Sequence, residues 1–427
     1  MSANDYYEVI PVCKPVGCTV EVPGSKSITN RALLLASMAQ GKSVLTNVLF
    51  SDDSRSFMDC LHKLGYEIEI HEDQKRVELC GGLPKKEARI NVRSAGTTAR
   101  FITALLATCE GEYVIESSEQ MKSRPMKPLL DALASLGCAV VCMEEEGFLP
   151  YTLFGGQLAG GEVRLESEQS SQFTSALLMT GCRHKEDLTI RPTGKETAKS
   201  YIDITLKMME QFGVYANRTD DGAYVVKAGQ AYKSRAYSIE PDVSSSCYFY
   251  SAAALTGGCV LVRGVNGSSM QGDIKFLDIL KRLGCTVNET NEGIALKGAA
   301  GGNYEGIDVD MNDCSDQAIT LAALAPFASS PTHIRNIQHI KHQESNRIHA
   351  VLTELTKMGI KCAQTDNGII IHPGSPKPSM VETYDDHRMA MAFSLIGLRA
   401  EGIRIKNPSC TSKTFENFFD AFSQLYS

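Results

Sequence analysis

Six times along this chain, a short cluster of small or polar residues precedes an apolar run with helical spacing. The segments are PGSKSITNRALLLA, SAGTTARFITALLA, SSQFTSALLMT, DVSSSCYFYSAAAL, DCSDQAITLAALA and DDHRMAMAFSLIGL. One residue in each serves as an anchor: Ser27, Thr97, Ser171, Ser245, Asp316 and His387. Successive anchors lie 70, 74, 74, 71 and 71 residues apart. A nearly constant period predicts one folding unit used six times.

A second pattern repeats in step with the first. In five places a helical pattern rich in Leu or Met ends in Gly and leads into a strand-like run, at Gly65, Gly137, Gly213, Gly284 and Gly359. Glycine at this place predicts a left-handed residue that ends the helix. The sixth such glycine would fall near residue 427, so the last unit ends with FENFFDAFSQLYS and lacks its strands.

The strand-like N-terminal stretch YEVIPVCKPVGCTVEV is expected to complete the sixth unit, because missing strands would leave a sheet edge uncovered. The sequence therefore predicts two domains of three repeats each. Residues 1–23 and 240–427 form a discontinuous domain with repeats four to six, and residues 24–239 form an inserted domain with repeats one to three. A length of 427 residues suits two such domains.

Composition narrows the function classes. The formal net charge is −7 and basic residues do not cluster, which argues against a nucleic-acid partner. The N-terminus lacks a signal-peptide pattern, and apolar runs stay short of a membrane span, so a cytoplasmic protein is expected. The 14 Cys are scattered without a CxxC pair, and GxGxxG is absent. Reduced thiols are therefore expected, with neither a metal site nor a dinucleotide cofactor.

The six helix starts suggest anion binding, because the first turn of a helix offers unpaired N–H groups and partial positive charge. A capping role would explain each Ser, Thr or Asp on its own, and it is the interpretation kept for Ser244–Ser246. Cations at helix starts oppose the dipole unless an anion is bound. Five starts add groups suited to anions or proton transfer: Lys26, Ser27, Arg31; Thr97, Arg100; Ser170, Ser171, Gln172; Asp316; and His387, Arg388.

With these motifs the chain resembles the 5-enolpyruvylshikimate-3-phosphate synthase family of enolpyruvyl transferases. The motifs are PGSKSITNRALLLA, SAGTTAR, SRPMKPLLDAL, SSQFTSALLM, YIDITLKMM, SDQAITLAALA, QESNR, TYDDHRMAMAFSL and CTSKTFENFF. The resemblance implies a two-domain α/β fold of six βαβαββ-like repeats. It also implies transfer of the enolpyruvyl group of phosphoenolpyruvate to the 5-hydroxyl of shikimate 3-phosphate, a step of aromatic amino acid biosynthesis. The expected partners are these two small molecules; a monomer without cofactor is expected.

The resemblance further implies roles for individual residues. Those expected to bind shikimate 3-phosphate are Lys26, Ser27, Arg31, Ser170, Ser171, Gln172, Tyr201, Asp316 and Gln343. Those expected to bind phosphoenolpyruvate are Lys26, Gly96, Arg124, Gln172, Arg347, Arg388 and Lys413. The residues expected to take part in catalysis are Lys26, Asp316, Glu344, His387 and Lys413.

Four positions depart from the family pattern. Gln343 stands where Lys is usual and Asn346 where Asp is usual, while Ala198 and His339 replace a frequent Ser and Asn. Losing the Lys removes a charge-assisted contact worth about 1.5–3 kcal/mol. Gly96 is expected to leave room for the phosphate of phosphoenolpyruvate and for glyphosate, which by resemblance competes for the same place.

Two other functions stay open at this point. The first is the related transfer of enolpyruvate to UDP-N-acetylglucosamine, which uses a loop with a reactive Cys; here Cys109 falls at a predicted helix end, and SSQF and KTF favour shikimate 3-phosphate. The second is an anion-binding homologue without turnover, suggested by Gln343 and Asn346. The presence of the five expected catalytic residues argues against it.

Overall fold

The computed structural model describes residues 6–194 and 196–426. The chain divides into two compact units, Gly24–Ile239 and Met1–Pro23 with Glu240–Ser427. We call them the inserted unit and the discontinuous unit.

The described residues form 23 strands and 13 α-helices. In chain order the strands are β1 (Tyr6–Glu8), β2 (Gly17–Val20), β3 (Lys42–Thr46), β4 (Ile68–His71), β5 (Arg76–Cys80), β6 (Glu87–Asn91), β7 (Gly111–Glu116), β8 (Ala139–Cys142), β9 (Tyr151–Gly155), β10 (Gly161–Glu166), β11 (Leu188–Thr193), β12 (Ala216–Arg218), β13 (Tyr224–Val226), β14 (Ala236–Ser238), β15 (Cys259–Arg263), β16 (Thr286–Glu289), β17 (Gly293–Lys297), β18 (Asp308–Asp310), β19 (Thr332–Arg335), β20 (Cys362–Thr365), β21 (Gly368–Ile371), β22 (Ser379–Val381) and β23 (Ile403–Lys406). The helices are α1 (Lys26–Met38), α2 (Asp52–Lys63), α3 (Gly96–Ala107), α4 (Glu119–Lys122), α5 (Lys127–Ser135), α6 (Ser171–Gly181), α7 (Lys199–Gln211), α8 (Val243–Thr256), α9 (Phe276–Arg282), α10 (Ala318–Leu324), α11 (Arg347–Lys357), α12 (His387–Gly397) and α13 (Phe418–Ser423).

The inserted unit contains three four-stranded sheets with one common plan. Their strand orders are β14-β3-β5-β4, β6-β7-β9-β8 and β10-β11-β13-β12. In each sheet the first pair is parallel and the next two pairs are antiparallel. The repeated plan is the structural counterpart of the repeated sequence pattern.

The discontinuous unit follows the same plan in β2-β15-β17-β16 and β18-β19-β21-β20, while its third sheet is the shorter β22-β23-β1. The N-terminal strands divide between two sheets: β1 pairs with β23, and β2 pairs with β15 of the fourth repeat. The expectation that the whole N-terminal stretch completes the sixth unit is therefore half wrong. The reason is that β15, like β3, needs a parallel strand beside it. Strand β14 takes this place beside β3, and β2 takes it beside β15.

The centre of each unit consists of the first helices of its repeats. All 12 residues of α3 are buried, as expected for a helix surrounded by protein. Helix α3 contacts both α1 and α6, and α8, α10 and α12 contact one another. The second helices end at the predicted glycines, all with positive φ, from 79° at Gly359 to 100° at Gly137.

Two helix starts differ from the prediction. Asp316 lies in a 3-10 turn (Asn312–Gln317) that precedes α10, because Cys314 has non-helical backbone angles. Helix α8 is capped by Asp242, whose carboxylate accepts from Ser245 N, and not by Ser244–Ser246. Among the described helices, none has the length and apolar character that crossing a bilayer demands.

Candidate active site

In the inserted unit, the start of α1 carries Lys26, Ser27 and Arg31. Lys26 Nζ lies 3.5 Å from the buried carboxylate of Asp53, which belongs to the first turn of α2. Asp53 was not predicted, although two successive acidic residues at a capped helix start were a visible signal. This ion pair holds the ammonium group of Lys26 near the start of α1.

Arg31 is almost completely buried, and its hydrogen-bond acceptors are all neutral. Its Nε donates to Thr205 Oγ1 at 2.8 Å, and its Nη atoms donate to the carbonyls of Ser27 and Tyr201 at 3.0 Å and to Ser175 Oγ at 3.3 Å. Burial lowers the pKa of Arg31 to about 10. These bonds use four of its five N–H groups and leave one on Nη1 for an acceptor.

Gly96, the first residue of α3, lies directly against the guanidinium of Arg124. A Cβ added at Gly96 would come within 2.6 Å of Arg124 Nη1 and 2.7 Å of Arg124 Cζ. The glycine therefore makes room for Arg124, whereas its role beside a ligand phosphate stays a prediction from the sequence. Both residues are buried, so the contact fixes where this cation lies.

Arg100 connects α3 to α6. Its Nη1 donates to Gln172 Oε1 at 2.6 Å, and its guanidinium lies 5.0 Å from the centre of the Phe173 ring. Ser170 caps α6 and accepts from Gln172 N at 3.2 Å, and the neighbouring Ser171 is buried. Gln172 is thus oriented by both its backbone and its side chain.

The backbone carbonyl of Tyr201 accepts hydrogen bonds from the side chains of both Arg31 and Thr205, so Tyr201 belongs to the hydrogen-bonded array around Arg31. It follows Ala198, which has a φ of 49° at the start of α7. A left-handed alanine is uncommon, because its Cβ crowds the backbone.

In the discontinuous unit, Arg347 at the start of α11 joins most of the predicted residues. It donates to Asp316 Oδ1 at 3.0 Å, to Glu344 Oε2 at 2.9 Å and to Asp386 at 2.8 and 3.2 Å. It also donates to Gln343 Oε1. Burial opposes the charge of Arg347, but the three carboxylates outweigh it and hold its pKa above the ordinary value.

Arg388 reaches the same cluster from α12. Its Nη2 donates to Asp316 Oδ2 at 2.8 Å and its Nη1 to the Tyr248 hydroxyl at 3.4 Å. Asp316 therefore bridges Arg347 and Arg388. Burial raises the pKa of Tyr248.

His387 and Lys413 are buried in this unit as well. His387 Nδ1 lies 3.8 Å from Asp386 Oδ1, and Lys413 ends the 3-10 turn Pro408–Lys413. His339, one of the departures, places its Nε2 2.8 Å from Ser315 Oγ, next to Asp316.

Two further carboxylates belong to this array and were not predicted. Asp386 is fully buried, binds Arg347 with both oxygens and accepts from Arg388 N at 3.0 Å. Asp273 accepts from Gln317 Nε2 at 3.0 Å and from Ser244 Oγ. Burial, together with the charge of Asp316, raises the pKa of Asp273 to about 6. Asp386 stands in the TYDDHR motif, whereas Asp273 gave no sequence signal.

Within the part of the chain that the structure describes, one group of potential metal ligands lies elsewhere, on β4 and β5, and its members range from exposed to buried. It consists of Glu69, His71 and Glu78. Lys42 and Arg76 already form ion pairs with Glu78, which satisfies the carboxylate without a metal ion.

All 14 cysteines are free. Cys109 is buried, its Sγ accepts from Arg183 Nη2 at 3.4 Å, and burial raises its pKa. A buried thiol of raised pKa is a poor nucleophile, which does not suit a reactive cysteine.

Comparison with known proteins identifies the family. Residues 12–422 match the profile of EPSP synthase (3-phosphoshikimate 1-carboxyvinyltransferase). A 3-phosphoshikimate 1-carboxyvinyltransferase from Nostoc sp. is 46% identical over 96% of this chain and 97% of its own length. One from Escherichia coli O6:H1 is 41% identical, covering 97% of both chains. An EPSP synthase structure from Acinetobacter baumannii shares the fold, with a TM-score of 0.81, 24% identity and 98% of both chains covered.

The family resemblance and the α/β fold class inferred from the sequence are confirmed, and the amino-sugar alternative is not favoured. On a match that spans nearly the whole chain, the protein belongs to the EPSP synthase (3-phosphoshikimate 1-carboxyvinyltransferase) family.

Proposed function

We propose that the protein transfers the enolpyruvyl group of phosphoenolpyruvate to the 5-hydroxyl of shikimate 3-phosphate and releases phosphate. The observation that carries this function is the cluster around Arg347. Carboxylates able to move protons, Asp316 and Glu344, lie in direct contact with arginines able to bind anions. Addition and elimination on an anionic substrate need both kinds of group together.

Shikimate 3-phosphate is assigned to the array of the inserted unit. Arg31 has a remaining N–H and neutral partners, so a carboxylate can bind there without displacing an ion pair. The start of α6 offers Ser170, Ser171 and the oriented Gln172 for the phosphate and the ring, in keeping with anion binding at a helix start. The same proposal gives Lys26, Ser27, Tyr201, Asp316 and Gln343 contacts with this substrate.

Phosphoenolpyruvate, with a carboxylate and a phosphate, needs several cations. We assign it to Arg124 beside Gly96, and to Arg347, Arg388 and Lys413, with contributions from Lys26 and Gln172.

In the addition step, the 5-hydroxyl oxygen forms a bond to C2 of phosphoenolpyruvate and loses its proton, while the methylene carbon gains one. In the elimination step, the methyl carbon loses a proton and the C–O bond to phosphate breaks. Glu344, Asp316 and Lys26 are the proposed proton carriers. His387 and Lys413 are proposed to assist the departing phosphate, because both are buried and nitrogen donors suit its oxygens. We further propose a cytoplasmic monomer.

The test is an assay of phosphate release from phosphoenolpyruvate with shikimate 3-phosphate or UDP-N-acetylglucosamine as the acceptor. Glu344→Gln keeps the side-chain shape and removes the titratable group, so turnover should fall by a factor of about 100 or more. Glu401→Gln, an exposed change in the same unit, is the matched control and should keep parental turnover.

Release only with the amino sugar would contradict the proposed acceptor. Binding of both substrates without any release would support a non-catalytic homologue. Parental turnover in Glu344→Gln would remove Glu344 from the proton carriers.

A further inference from the structure

The turn that leads into α12 has an unusual backbone. Tyr384 and Asp385 have φ values of 55° and 53°, so two successive residues with side chains adopt the left-handed region. Asp386, His387 and Arg388 follow directly. Such backbone persists only where surrounding contacts hold it, and it sets the direction in which the following side chains point.

Helix α11 holds this segment at two places, two turns apart. Arg347, at its first turn, binds both oxygens of Asp386. Glu354 lies seven residues further on the same helix face, about 10 Å along the axis. Its Oε1 accepts from the Tyr384 hydroxyl at 2.9 Å, and its Oε2 accepts from Glu382 N at 3.2 Å.

Glu354 is a fully buried carboxylate that does not contact Arg347, Asp316 or Arg388. Its charge is balanced by Lys357, whose Nζ lies 2.7 Å from Oε2 and also donates to the carbonyl of Met380 at 2.9 Å. Burying a carboxylate is costly unless its oxygens are satisfied. Among the described residues, each hydrogen-bond partner of the Glu354 side chain either belongs to the segment 380–384 or is held against it.

We propose that Glu354 is a positioning residue, which fixes the left-handed turn at Tyr384 and Asp385 and thereby the placement of Asp386, His387 and Arg388. The catalytic part of this proposal rests on the proposed function. Glu354 acts through the turn and does not touch the substrates.

The hydrogen bond between the Tyr384 hydroxyl and Glu354 can be tested by changing either residue. Burial and the bond to Glu354 raise the pKa of Tyr384 to about 12, so the hydroxyl keeps its proton and donates at any physiological pH. Glu354→Met removes both acceptors at similar volume. Glu354→Gln keeps one oxygen for Glu382 N, and its amide can donate to the Tyr384 hydroxyl, which also accepts.

The experiment compares Glu354→Met, Glu354→Gln and Tyr384→Phe with the parent. We expect Glu354→Met to raise KM for phosphoenolpyruvate tenfold or more, because Arg347 and Arg388 are assigned to phosphoenolpyruvate. KM for shikimate 3-phosphate should change less than twofold. Tyr384→Phe should raise the same KM about threefold. Glu354→Gln should stay within about threefold of the parent.

Val351→Ala is the matched control, since Val351 is buried in the same helix. It should lower the melting temperature and leave both KM values at the parental level. Hydrogen exchange of the backbone amides of residues 382–390 is the second readout and needs no activity. Exchange there should be faster in Glu354→Met than in Val351→Ala.

Parental exchange in that segment, or a KM effect in Glu354→Met no larger than in Val351→Ala, would overturn the positioning role. A parent without enolpyruvyl transfer but with the expected exchange pattern would contradict the proposed function and leave the structural role of Glu354 supported.

Discussion

Arg347 is the residue on which the cluster in the discontinuous unit depends. Two arginines, Arg347 and Arg388, share three carboxylates, those of Asp316, Glu344 and Asp386. A buried cation of this kind is stable only while its partners remain, and removing one partner typically costs about 3–5 kcal/mol. Among these five groups the carboxylates outnumber the guanidinium groups by one, and this surplus of negative charge lies beside Gln343, which stands where the resemblance to the family leads us to expect lysine.

This surplus leads to a prediction for Gln343→Lys. The side chain of Gln343 already contacts Arg347, so a lysine there would add a cation beside the carboxylates and the proposed phosphoenolpyruvate groups. We expect the inhibition constant of glyphosate and the KM for phosphoenolpyruvate each to fall about tenfold, equivalent to about 1.4 kcal/mol. Inhibition kinetics at matched ionic strength measure both; Lys341→Gln, in the preceding turn, is the control. Equal constants for parent and variant would show that position 343 does not reach the ligand.

At the residue scale, the sequence motifs predicted which side chains belong to the candidate site, but not which of them pair with one another. Asp316, Gln343, Glu344, Arg347 and Arg388 were all named from the sequence, and the structure brings them into one network. The partner pairs join distant parts of the chain, and periodicity carries no information about such pairs. Asp273 is the clearest miss, because it lies in a short turn with an ordinary local pattern.

At the scale of the element, the most reliable signal was the glycine that ends each second helix. All five predicted glycines have positive φ, since the left-handed ending depends on the local chain alone. The 3-10 turn at Asp316 was not predicted, because the short polar run before α10 fits both kinds of helix. The left-handed turn at Tyr384 and Asp385 was also missed, since Tyr disfavours this conformation, Asp adopts it only occasionally, and distant contacts hold it.

The glycine endings can be tested at Gly137, which has a φ of 100° and open space around its Cβ position. Because contacts are excluded as a cause, Gly137→Ala should lower the free energy of unfolding by the backbone strain alone, about 1–2 kcal/mol. Gly82→Ala is the matched control, since its Cβ position is also open and its φ lies outside the left-handed region. It should be neutral or stabilising by up to about 1 kcal/mol. Denaturant unfolding measures both, and equal values would contradict the assignment of strain.

At the scale of the whole molecule, the two units differ in how their sheets are completed. The inserted unit draws every strand of its three sheets from residues 24–239, including β14, which closes the first sheet. The discontinuous unit depends on β1 and β2, which come from the opposite end of the chain. The repeat count predicted the number of sheets, but the division of these strands depends on pairing across more than 200 residues.

This difference predicts how fragments behave. Residues 24–239 expressed alone should melt cooperatively, because all three sheets are complete. Residues 240–427 alone should not, since two sheets lack a strand, whereas the same segment followed by a flexible linker and residues 1–23 should regain a cooperative melt. Calorimetry distinguishes these outcomes. A cooperative melt of 240–427 alone would show that β1 and β2 are dispensable.

The placement of β1 and β2 also bears on synthesis at the ribosome. These strands leave the exit tunnel before the other described strands, yet β15 follows β2 about 240 residues later and β23 follows β1 almost 400 residues later. At about 5–20 residues per second, the first strand waits roughly 20 seconds or more for its partner. During that time the inserted unit can fold completely, while an unpaired strand remains exposed to other nascent chains. Translation speed and chaperone supply should therefore affect the yield of the discontinuous unit more than that of the inserted one.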